Sequence, residues 1–135
     1  MAQVTNLWKT IEEQRAQAKP RRFMRVARTD DLMVALNCYE PGYKNEFHQH
    51  VGTSQSFLVL KGRLTIRTLD PKDESVTEHS LGEGECVMIA GGEYYQLDNQ
   101  ADQPLVLYQA KQPADLVQIW GQEPVNARAH FGDTG

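Results

Sequence analysis

The rhythm of apolar and polar positions changes near residue 20. Over residues 6–18, Leu7, Trp8 and Ile11 fall on one face at helical spacing. Thr5 or Asn6 can cap the first turn, and Pro20 ends the pattern. This spacing predicts a single helix that buries its apolar stripe on a barrel wall or on a second subunit. Beyond Pro20 the period drops towards two. Extended stretches are predicted at residues 22–26, 31–39, 57–60, 64–68, 76–81, 85–90, 94–97 and 105–111. Turn-forming sequence separates them: Arg28-Thr29-Asp30, Lys61-Gly62, residues 70–75, Gly82-Glu83-Gly84, Gly91-Gly92 and residues 99–104. Leu64 and Ile66 alternate with Arg63, Thr65 and Arg67, which is the pattern of a strand with one wet face. Many short strands at regular intervals indicate an all-β sandwich or barrel. Three parts follow: a helical extension over residues 1–20, the barrel over 21–112, and a tail over 113–135 that covers a barrel mouth or frays.

Composition narrows the function classes. A chain of 135 residues has room for one domain with a proper core. No apolar run approaches the roughly 18 residues of a membrane span. The first residues lack a charged stretch followed by an apolar one, so a cytoplasmic location is expected. A net charge of −4 argues against a nucleic-acid surface. The one basic cluster, Lys19-Pro20-Arg21-Arg22, is read as a solvated linker. Cys38 and Cys86 share no metal or redox spacing and read as small core hydrophobes in a reducing compartment.

The chemistry is concentrated at His48 and His50. Two residues apart in an extended segment, both imidazoles project from one side of the backbone and aim at one point. Paired imidazoles suit a divalent transition metal such as Fe, Mn, Ni, Cu or Zn. Phe57, Val59, Leu64, Ile66 and Met88 read as barrel filling, and Tyr94 as packing on the side opposite Tyr95. Glu46, His79 and His130 read as solvated.

The stretch from Gly42 to Gly62, GYKNEFHQHVGTSQSFLVLKG, resembles the first motif of the cupin superfamily: Gly, five residues, His-x-His, three or four residues, Glu, six residues, Gly. Gln55 stands at the acidic position. The stretch from Gly84 to Asn99, GECVMIAGGEYYQLDN, resembles the second motif, with Ala90 in place of its Pro and Tyr95 in place of its His. The resemblance implies a double-stranded β-helix, or jelly-roll barrel, that forms a homodimer and takes a small organic molecule inside. It also implies a metal set of His48, His50, Gln55 and Tyr95. An amide in place of the carboxylate removes a charge and weakens the hold on a dication. Gln55 then either coordinates through its carbonyl or orients an imidazole, and Tyr95 serves as ligand, proton donor or pocket wall. Two functions follow. One is a metal-binding cupin acting on a small molecule as an isomerase, lyase or dioxygenase. The other is a non-catalytic ligand-binding cupin with a degenerate metal site.

Overall fold

The computed structural model describes residues 2–69, 72 and 74–114. The expected tail, and His130 within it, therefore lie almost wholly outside the described residues.

Helix α1 spans Leu7–Arg15. The Asn6 side chain caps it by accepting the Lys9 amide at 3.1 Å. The helix ends three residues before residue 18, where the Gln17 amide closes a tighter turn on Gln14 at 3.0 Å. Its buried stripe is Leu7, Thr10 and Ile11, positions that lie within about 100° of one another. Trp8 is rotated by a full step from Leu7 and stays 54% exposed, with the Lys61 ammonium 5.6 Å from its ring centre. The expected grouping of Trp8 with the buried face is therefore corrected. Ile11 packs against Leu36, Cys38 and Val106, so the helix lies on the outer wall of the barrel.

Eight strands follow: β1 (Arg21–Arg28), β2 (Met33–Tyr39), β3 (Ser54–Lys61), β4 (Leu64–Leu69), β5 (Val76–Leu81), β6 (Cys86–Ile89), β7 (Tyr94–Asp98) and β8 (Leu105–Gln112). They form a five-stranded sheet in the order β1-β2-β8-β3-β6 and a three-stranded sheet in the order β5-β4-β7. Every pairing between these strands is antiparallel. The two sheets enclose the core as a jelly roll. At the β3–β4 turn Gly62 has φ of +84°, and a Cβ there would sit 2.5 Å from the Pro104 carbonyl oxygen, so only glycine fits.

Two expected core positions are corrected. Cys86 and Met88 are exposed, Met88 by 68%, because β6 is a sheet edge whose inward face carries Val87 and Ile89. Cys38 is buried as expected.

The interior divides along its length. Val59, Leu64, Ile66, Leu105 and Leu107 fill one end without a polar side chain among them. Further along the same faces of β3 and β8 stand Gln55, Gln109 and Lys111, all buried. The strands thus run from an apolar plug into a polar floor at Gln55 and Gln109, with Lys111 beyond it.

Candidate functional site

Residues 42–50 run antiparallel beside β7 without forming a full strand. The Asn45 amide donates to the Leu97 carbonyl at 3.0 Å. His48 and Tyr95 exchange both backbone bonds, at 3.1 and 2.9 Å. Residues that exchange both bonds stand directly opposite and project to the same face, so the His48 and Tyr95 rings meet with centres 4.5 Å apart. His50, two residues on, projects to the same side, and its ring centre lies 4.9 Å from that of His48. β3 brings Gln55 in from the facing sheet. All four expected site residues converge on one atom, the Tyr95 Oη. It lies 3.1 Å from His48 Nε2, 3.2 Å from His50 Nε2 and 3.1 Å from Gln55 Nε2. Tyr94 turns the other way and packs on Phe47 and Leu69.

The polarity of the cluster follows from a row of hydrogen bonds that crosses the large sheet one strand at a time. Arg21 on β1 donates to Asn37 Oδ1 on β2 at 3.4 Å. Asn37 Nδ2 donates to Gln109 Oε1 on β8 at 2.7 Å. Gln109 Nε2 donates to Gln55 Oε1 on β3 at 2.6 Å. Gln55 then donates across the barrel to Tyr95. A guanidinium has no lone pair to offer, so Arg21 orients every amide after it. At the other end, His48 Nδ1 lies 2.7 Å from the Glu46 carbonyl, which only accepts, so Nδ1 carries the proton. In the neutral ring Nε2 is then an acceptor, and the Tyr95 hydroxyl donates to it.

Burial holds the cluster in its uncharged forms. It lowers the His48 pKa to about 4, against a smaller upward pull from the Glu46 carbonyl. It lowers that of His50 to about 3, with His48 and Lys111 adding to the effect. Burial also pushes the Tyr95 phenol well above its usual value, against the hydrogen bond from Gln55.

The two imidazoles suit a metal: their Nε2 atoms converge, and a carbonyl holds the far nitrogen of His48. The other two members do not fit as they stand. Gln55 presents an N–H, which has no lone pair, because its carbonyl is committed to Gln109. Tyr95 is a neutral phenol placed at the point of convergence. Among the described residues, no three His, Cys, Asp or Glu side chains group as a metal site. The donors therefore make half of a metal set and no more.

His48, His50 and Tyr95 form the floor of a cavity of about 310 Å³, walled also by Tyr39, Asn45, Phe57 and Leu97. Around its mouth stand Arg21, Phe23, Arg25 and Lys111. Phe23 lies between two cations, with Arg21 Cζ 5.5 Å and Lys111 Nζ 5.4 Å from its ring centre. Burial, then Arg25 and Arg21, lowers the Lys111 pKa to about 8. Sequence reasoning missed Arg21, Arg25, Asn37, Gln109 and Lys111. The basic cluster read as a linker is corrected: Arg21 lines the cavity, while Arg22 is buried on the outer side and pairs with Glu40 at 3.0 Å. The alternation of β1 was the available signal, since it places Arg21, Phe23 and Arg25 on one face.

Comparison with known proteins agrees with this architecture. Residues 35–110 match the family model described as "Cupin domain". Among solved structures, the chain is similar to TT1209 from Thermus thermophilus with a TM-score of 0.70 and 18% identity, covering 83% of this chain and 98% of that one. It is similar to an uncharacterised protein with a double-stranded β-helix domain from Klebsiella pneumoniae, with a TM-score of 0.69 and 17% identity over 88% of this chain and 96% of that one. KdgF from a Halomonas species gives a TM-score of 0.64 and 16% identity over 73% of this chain and 84% of that one. At these identities the likeness is one of fold. No match was found among the curated proteins. No described helix is long and apolar enough to cross a membrane.

Proposed function

The chain belongs to the cupin family, and on that premise we propose that it binds a small organic molecule in the barrel above a floor that needs no metal. The observation that carries this reading is the Tyr95 hydroxyl, which meets His48, His50 and Gln55 at 3.1–3.2 Å where a metal would otherwise be held. Tyr95 orients both imidazoles, burial keeps them uncharged, and the amide row braces Gln55 from behind. The cavity above stands at the small end of the range for ligand sites. It combines a polar floor with the aromatic walls of Tyr39 and Phe57.

The convergence of the two Nε2 atoms favours a second reading. A divalent Fe, Mn, Ni, Cu or Zn ion would be held by His48 and His50, with Gln55 turned over to offer its carbonyl and Tyr95 ionised. Tyr95 would then serve as ligand or as proton donor to a bound substrate. Metal analysis of protein purified without chelator separates the two readings, with a His48→Ala/His50→Ala double variant beside it. The metal-free reading expects well under one equivalent and a melting temperature indifferent to chelator. One equivalent of metal, lost in the double variant, overturns it.

A further inference from the structure

Three basic side chains surround the cavity mouth, and among the described residues no Asp or Glu lines the cavity. Arg21 and Arg25 come from β1, and Lys111 is buried at the end of β8. Among the described residues none of the three is joined to a carboxylate. Arg15, Arg22 and Arg67 pair with Glu12, Glu40, Glu78 and Asp98, which lie outside the cavity. Gathering like charges at a partly closed mouth is unfavourable unless something of opposite sign is held there. The floor cannot supply it, because His48, His50 and Tyr95 are all uncharged. All three cations lie outside residues 35–110, the part that matches the family model.

From this geometry we infer that the ligand is a small organic anion, its carboxylate or phosphate gripped by Arg21, Arg25 and Lys111 and its body seated against Phe23, Tyr39 and Phe57. The inference rests on the small-molecule reading above and adds the charge of the ligand to it. Guanidinium groups offer paired N–H donors to either oxyanion, and the Lys111 ammonium adds a compact charge. The cavity volume limits the body to a small molecule. Phe23 braces two of the cations and remains partly exposed, so an apolar body can cover it as the anion enters.

The test is titration calorimetry on the full chain with matched probes. Benzoate and succinate are compared with benzamide and succinamide, and phenyl phosphate with phenol. The expected result is binding of the anions at least tenfold tighter than their neutral partners, weakening as salt is raised. Arg25→Gln and Lys111→Met each reduce anion binding about tenfold. Arg25 is exposed, so its replacement leaves the fold intact even if that of Lys111 does not. Preference for benzoate and succinate over phenyl phosphate assigns the carboxylate, and the reverse order assigns the phosphate. Neutral partners binding as tightly as the anions overturn the inference and leave the small-molecule reading standing, as does anion binding unchanged in Arg25→Gln. Failure of every probe, charged or neutral, overturns both.

Discussion

The two ends of the barrel interior are built on the same strands and hold together by different means. At the plug end Leu105 and Leu107 of β8 meet Val59 of β3 and Leu64 and Ile66 of β4, all essentially inaccessible to water. Stability there comes from apolar area and close packing, which are non-directional and tolerate exchange of one aliphatic side chain for another. At the floor end the inward residues beyond Phe57 on β3 and Leu107 on β8 are Gln55 and Gln109. Each is useful only if its bonds point the right way. The comparison separates two tasks: the plug end supplies free energy, and the floor end supplies orientation and withholds charge.

The largest expected effect is at the plug. Leu107→Ala should lower stability by about 3–5 kcal/mol through lost burial and the cavity left behind, with little change in probe binding. Denaturant unfolding checks this, and a loss comparable to that of a surface variant would break the comparison.

Acid should then expose the floor. His48 and His50 have folded-state pKa values of about 4 and 3, below an unfolded value near 6.5. The unfolded chain therefore takes up protons that the fold refuses. Stability present above pH 6.5 is lost as pH falls towards 4. Between pH 7 and 5 the loss should be about 2–4 kcal/mol for the pair. A His48→Gln/His50→Gln variant should flatten that part of the profile. An unchanged slope would show that the acid sensitivity arises elsewhere.

Tyr95→Phe removes the common partner of three polar groups and should cost about 1–3 kcal/mol. A neutral or stabilising outcome would reduce the floor to filling and erase its difference from the plug.

The smallest effect concerns the mouth. Lys111, facing Arg21 and Arg25, sheds its proton near pH 8. Benzoate affinity should fall a few-fold between pH 7 and 9, and a pH-independent affinity in the Lys111→Met variant should accompany it.

Much of this was legible in the sequence because local spacing determines it. The intervals from Gly42 to Gly62 and from Gly84 to Asn99 place His48, His50, Gln55 and Tyr95 on inward faces, and turn chemistry at Lys61-Gly62 sets the hairpin. What escaped depends on pairing between distant strands. Arg21 and Arg22 are neighbours in a basic run, and only the pleat of β1 against β2 sends one to the cavity and the other outward. Asn37, Gln109 and Gln55 are 72 and 54 residues apart along the row. No local pattern announces that they touch. The face that Gln55 shows to the floor is fixed by Arg21, which lies outside both motifs. Trp8 was misplaced because three apolar residues at helical spacing do not say which of them marks the edge of the stripe.

The row from Arg21 to Tyr95 has a further consequence. A file of amides between two indifferent ends can be written forwards or backwards with the same number of bonds, as protons in ice can be. Arg21 removes that freedom, because it can only give. Its bond to Asn37, at 3.4 Å, is the longest in the row and the one at the open mouth. Whatever occupies the mouth and draws that guanidinium aside returns the choice of direction to the whole file. The grammar of the floor, donor or acceptor, is thus written from the doorway.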